Sequence, residues 1–186
     1  MKKDFVFEIY KSNKMVFTLQ DISLILREND FDSLKSKVHY YIKRRVLRAV
    51  RRGVYVKPEY EVYELATRIY TPSYITLETV LQKEGVIFQY YDTVFVVSYL
   101  SRNVVVDKHR ISLRKIKHQI FLNIEGILQK ENYAIATKER AFLDTLYLYK
   151  DYHFDNVKVL DRDKIASLLR MYNSKSLEEK VKKIFS

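Results

Sequence analysis

Between Ser33 and Lys57 the chain carries nine Lys or Arg residues and no Asp or Glu. The stretch reads SLKSKVHYYIKRRVLRAVRRGVYVK and holds most of a formal net charge of +11. Its apolar residues restrict what it can fold into, because they follow two different periods in succession. Leu34, Val38, Tyr41 and Ile42 recur at i, i+4, i+7 and i+8, the spacing of one helical stripe. Val46-Leu47-Arg48-Ala49-Val50 and Val54-Tyr55-Val56 then have the composition of two short strands. Arg51-Arg52-Gly53 is the tight turn between them, and Gly53 suits a positive φ that a bulky residue resists. A helix followed by a hairpin, both basic and free of acids, creates a local field that attracts a polyanion. The plainer alternative is a solvated face.

Two shorter helices are expected upstream. Phe5, Ile9 and Tyr10 share one face of the first. The second starts at Thr18, a hydroxyl cap with Asp21 in the first turn, and buries Leu19, Ile22, Ile25 and Leu26. Asn29-Asp30 breaks it, and Asp32 or Ser33 caps the third helix, expected over about 33–45. On the outer face of that third helix lie Ser36, Lys37, Tyr40, Lys43 and Arg44, flanked by Lys35 and His39. Cationic heads, a hydroxyl and aromatic rings together can address phosphates and base edges. Three helices and a basic hairpin give the winged helix-turn-helix arrangement, in which the third helix enters the major groove and the wing meets the backbone or the minor groove. The candidate DNA-binding residues are Lys35, Ser36, Lys37, His39, Tyr40, Lys43, Arg44, Arg48, Arg51 and Arg52. DNA is favoured over RNA because the layout offers a helix to a groove.

Pro58 marks a change of character, so residues 1–58 are expected to form the DNA-binding domain and residues 59–186 a small mixed α+β domain. Glu59, Glu61 and Glu64 are expected as surface acids near the start of a helix. Pro72-Ser73 breaks that helix, Thr76 caps the next and Gly85 ends it. Strand-like runs follow at 94–98, 103–106, 111–116 and 133–136. Thr137 with Glu139 opens a helix whose buried stripe is Ala141, Phe142, Leu146 and Tyr149. Two further helices are expected at 161–172 and 176–185.

A search for reaction chemistry finds little. There is no Cys, which excludes thiol nucleophiles, disulfides and thiolate metal sites. His39, His109, His118 and His153 have no metal-ligand spacing. With three Gly in total, a glycine-rich phosphate loop is absent. Asp161-Arg162-Asp163 is read as a helix cap, and Glu139, Arg140 and Asp144 as an ion-pair network on a helix rather than a functional polar cluster. A non-enzyme without cofactor or metal is expected. The N-terminus lacks a secretory h-region and no stretch approaches a membrane span, so a cytoplasmic protein is expected.

Three stretches, RRGVYVKPEY, PSYITLETVLQKEGVI and IATKERAFLDTLYLY, together resemble the AbiEi-type antitoxin and transcriptional-regulator family of type IV toxin–antitoxin systems, associated with phage defence. The resemblance spans roughly residues 5–150. It implies an N-terminal winged helix-turn-helix that binds an inverted repeat in the promoter of its own two-gene operon, as a monomer or as a dimer on the DNA, and represses it. It also implies a C-terminal domain that counters a nucleotidyltransferase-class toxin, without requiring direct contact. The positions carried over are Arg51, Arg52, Gly53 and Tyr55 in the wing, and Thr137, Glu139, Arg140, Ala141, Leu143 and Asp144 in the late motif. Lys138 stands where many members place Pro. The expected function is therefore an autoregulating repressor and antitoxin. The alternatives are a stand-alone winged-helix transcription factor and a protein–protein interaction module using its basic patch.

Overall fold

The computed structural model describes residues 4–186, in which helices combine with two sheets in an α+β arrangement. Helix α1 (Phe5–Lys11) starts where the Asp4 carboxylate accepts the Phe7 N–H, and it buries Phe5 and Ile9. Tyr10 is not on that buried face: it is 51% exposed. It sits one residue past Ile9, a rotation of about 100° that carries it off the stripe. Strand β1 (Val16–Thr18) leads directly into α2 (Leu19–Leu26). Here Thr18 Oγ1 accepts the Asp21 N–H at 3.1 Å, and the Asp21 carboxylate accepts the Thr18 N–H at 2.8 Å. This reciprocal cap satisfies two amide donors that the helix itself leaves open.

Helix α3 (Phe31–Lys43) begins two residues earlier than its apolar stripe indicates. Asp30 is its cap, with its carboxylate accepting the Asp32 and Ser33 N–H groups, each at 3.1 Å. The preceding helix ends earlier than Asn29-Asp30, at Leu26 with Arg27 at φ +55°, so Asp30 acts only as the start of α3, where its short carboxylate reaches the next amides. Strands β2 (Arg48–Arg51) and β3 (Val54–Val56) pair antiparallel, with Gly53 at φ +78° in the turn. β1 pairs along the other edge of β3, so the first sheet has the order β1-β3-β2. Leu34, Val38 and Leu47 close on Phe5, Ile9, Phe17 and Ile22 to form the core beneath these elements.

The second sheet has six strands in the order β6-β7-β5-β4-β9-β8. These are β4 (Ser73–Ile75), β5 (Thr93–Ser98), β6 (Arg102–Val106), β7 (His109–Lys115), β8 (Ile127–Gln129) and β9 (Ala134–Ala136). The β4–β9 and β5–β7 pairs are parallel, and the other pairs are antiparallel. Helices α4 (Val62–Arg68), α5 (Glu78–Lys83), α6 (His118–Leu122), α7 (Lys138–Leu148), α8 (Arg162–Leu169) and α9 (Lys175–Phe185) accompany it. No helix among the described residues is long and apolar enough to cross a membrane.

At the centre of this larger part is an ion pair. Arg140 and Asp144 pair on α7 as their spacing indicates, and both are fully buried, which the spacing does not indicate. Arg140 Nε donates to Asp144 Oδ1 at 3.2 Å, and its other nitrogens donate to the carbonyls of Ile120 and Glu125, each at 2.8 Å, and Asn123 at 3.2 Å. Asp144 accepts from the hydroxyls of Tyr172 at 2.7 Å and of Tyr74 and Thr76 at 3.0 Å. Thr76 therefore does not cap α5. Its hydroxyl is engaged with Asp144, and the position before α5 is Leu77 with no side-chain cap bond. Burial opposes the Arg140 charge, but Asp144 and the two phenols outweigh it and hold the guanidinium protonated.

A third apolar cluster joins the two sheets. Val16, Val54 and Val56 of the first pack with Leu65 of α4 and Val106 of β6. Glu64, expected as a surface acid, is buried here, and its carboxylate accepts the Met15 N–H at 3.0 Å and the Val16 N–H at 3.0 Å. Charge alone does not distinguish a solvated Glu from one that terminates a neighbouring strand's open donors; only the approach of β1 does.

Candidate nucleic-acid interface

The ten basic and polar positions singled out between residues 35 and 52 separate into two sets. His39, Tyr40, Lys43, Arg44 and Arg52 are exposed, and so is Arg45 beside them. The Arg44 guanidinium lies over the Tyr40 ring, 4.7 Å from its centroid. Among the described residues Lys43, Arg44, Arg45 and Arg52 make no ion pair. Lys43, Arg44 and Arg45 sit at the C-terminal end of α3, where the helix dipole favours cations. Arg45 is at φ +59° and turns the chain from the helix toward β2.

The second set is already engaged. Lys35 pairs with Asp32 at 3.0 Å, and the Ser36 hydroxyl donates to the Asp32 carbonyl at 3.0 Å. Lys37 pairs with Glu28, and Ser36, Lys37 and Tyr40 line a cleft of about 870 Å³ that also contains Asp4, Glu28 and Asp30. The first turns of α3 are thus locally neutralised by acids from outside the basic stretch. The unpaired positive charge lies instead at the far end of the helix and at the β2–β3 turn.

Two arginines of β2 point to the larger sheet. Arg48 makes a two-pronged contact with Asp107, Nη1 to Oδ1 at 2.8 Å and Nη2 to Oδ2 at 2.9 Å. The Tyr60 hydroxyl donates to the same carboxylate at 2.7 Å. Arg51 Nη2 donates to the Tyr70 hydroxyl at 2.9 Å, and Arg102 Nη1 donates to it at 2.8 Å. Sequence spacing showed the two arginines only as members of a charge run. Their partners lie between residues 60 and 107, and nothing near Arg48 or Arg51 in the chain announces them.

The Arg48 bond, followed by the Tyr60 bond, holds the Asp107 carboxyl down at about 2, while burial pushes the Tyr60 phenol up to about 12. A carboxylate depressed on folding contributes stability above its unfolded value of about 4, and that contribution is lost as pH falls through the folded value. Asp107→Asn is therefore expected to lower the urea midpoint at pH 7 and to match the parent chain near pH 2. Parallel pH-dependent urea titrations check this; a midpoint difference that persisted unchanged at pH 2 would assign the effect to packing.

Among the described residues no group of three or more His, Asp or Glu is placed to hold a metal ion. The chain matches no protein-family profile and no curated protein.

Proposed function

We propose that the chain is a DNA-binding transcriptional repressor that also serves as the antitoxin of a toxin–antitoxin pair. In this reading residues 1–58 form a winged helix-turn-helix, with α3 as the groove helix and β2–β3 as the wing, and residues 59–186 form the antitoxin-like domain. The observation that carries the DNA reading is the cluster of exposed, unpaired cations at the end of α3, Lys43, Arg44 and Arg45, together with Arg52 at the hairpin turn. A side chain without an internal acid is free to neutralise a phosphate and release its counterion. Tyr40, half exposed beneath Arg44, adds an apolar and hydrogen-bonding surface for base edges. The antitoxin role rests on the resemblance of RRGVYVKPEY, PSYITLETVLQKEGVI and IATKERAFLDTLYLY to the AbiEi-type family. With it come a nucleotidyltransferase-class toxin as functional counterpart, a cytoplasmic setting and no catalysis by the chain itself.

The test has two arms, both on the full chain, because separating residues 59–186 would uncover Leu65 and Val106. A band-shift with DNA from the chain's own promoter, against a scrambled duplex of equal length, is expected to show preferential retardation of the promoter. Co-expression with the adjacent gene is expected to restore growth that this gene alone arrests. Retardation without growth rescue would leave a stand-alone repressor. No retardation of either duplex would remove the DNA reading and favour a protein partner for the basic surface.

A further inference from the structure

Arg51 and Arg102 reach the same oxygen from two different sheets. Each donates to the Tyr70 hydroxyl, at 2.9 and 2.8 Å, and the Arg51 guanidinium also lies 4.9 Å from the Tyr70 ring centroid. The two donating nitrogens are therefore less than about 6 Å apart around one phenol oxygen. Neither arginine has a carboxylate partner among the described residues, and Arg51 Nη1 is buried with nothing to bond.

The neighbouring cations are handled differently. Arg48 is closed by Asp107, while Lys14 and Arg68 share Asp21. Guanidinium remains charged at any pH a protein tolerates, so two of them facing one phenol leave positive charge uncompensated. Burying a donor such as Nη1 without an acceptor is also costly. The two guanidiniums pull the Tyr70 phenol below its usual range, the same field that would draw an anion. Arg102 is exposed and Tyr70 half-buried, so the cluster is open on one side.

We propose that Arg51 and Arg102, held apart by Tyr70, form a phosphate-binding site at the junction of the two sheets. A single guanidinium fork satisfies a planar carboxylate. Two forks arriving from separate strands match a tetrahedral group that can offer different oxygens to each. The ligand is a phosphate group, carried either on a polynucleotide backbone or on a free phosphorylated molecule. The site stands independently of the α3 cluster, because Arg102 lies outside the basic stretch and on the second sheet.

The experiment is a titration of the full chain with inorganic phosphate at constant ionic strength, read on the arginine side-chain Nε–H signals by NMR. Saturable movement of the Arg51 and Arg102 signals is expected, with chloride giving none. Arg102→Ala, an exposed edge-strand change, should abolish the movement of Arg51, and Arg102→Lys should weaken it by keeping the charge and losing the fork. Duplex DNA then separates the sources. If Arg102→Ala lowers DNA affinity and reduces the log–log salt slope by about one, the phosphate belongs to the backbone. If DNA binding is unchanged while the phosphate response requires Arg102, the ligand is a free phosphorylated molecule. No phosphate response together with DNA binding indifferent to Arg102 overturns the site. Failure of the promoter band-shift with an intact phosphate response would remove only the repressor reading.

Discussion

Replacing Asp144 with Ala is expected to destabilise the protein by about 3–5 kcal/mol, the cost of leaving one member of a buried ion pair without its counter-charge. The substitution strands Arg140 in a fully buried position. It also removes the acceptor used by the hydroxyls of Tyr74, Thr76 and Tyr172. Those three hydroxyls come from β4, the β4–α5 link and the short 3-10 turn after α8, so one carboxylate ties together segments 70, 68 and 28 residues away in sequence, respectively. Asp144→Asn keeps the shape and one acceptor and should cost less. Urea unfolding at pH 7 measures both. A loss below about 1 kcal/mol for Asp144→Ala, the range of an exposed pair, would mean that water reaches Arg140 and that the network is not closed.

Replacing Lys43 and Arg44 together with Ala is expected to produce the largest loss of duplex binding. With Lys43, Arg44, Arg45 and Arg52 as phosphate contacts, the parent monomer should show a log–log salt slope of about −3.6, so its affinity falls roughly a hundredfold between about 50 and 200 mM salt. The double substitution should flatten that slope by about 1.8. Arg48→Ala should leave it unchanged, because Arg48 is already committed to Asp107 through two hydrogen bonds. Fluorescence anisotropy across a salt series gives all three slopes. An Arg48→Ala slope that flattened as much as the Lys43/Arg44 change would mean that the Asp107 pair opens on DNA. A parent slope near zero would exclude groove binding.

The contrast between Arg48 and Arg44 shows where sequence reading stopped. Both belong to one acid-free run, and nothing local separates them. Arg44 ends a helix whose C-terminus is free, whereas Arg48 begins a strand that lies against the larger sheet and meets Asp107. The same holds for Glu64 and Glu59, acids five residues apart in one stretch. The first is buried against the open amides of β1, and the second is exposed. Helix starts were more legible where the signal is short-range: Thr18 with Asp21, Thr137 and Asp161 are caps as their side chains and spacing indicate. Strands β1, β4 and β8, each three residues long, were not, because so short a strand exists only when a partner strand completes its hydrogen bonds.

By itself the sequence determined the α+β class, several helix starts, the hairpin turn at Gly53 and the position of the positive charge, all of which follow from periods, caps and composition within a few residues. Tertiary structure alone decided which charges remain free. Arg140 and Asp144, four residues apart, carry the same spacing on a surface helix as in a core, and burial made them a closed network. Arg51 and Arg102, 51 residues apart, became neighbours only when β2 and β6 met around Tyr70. Whether a charged side chain is available depends on what stands opposite it, and that is set by long-range packing rather than by its neighbours in the chain.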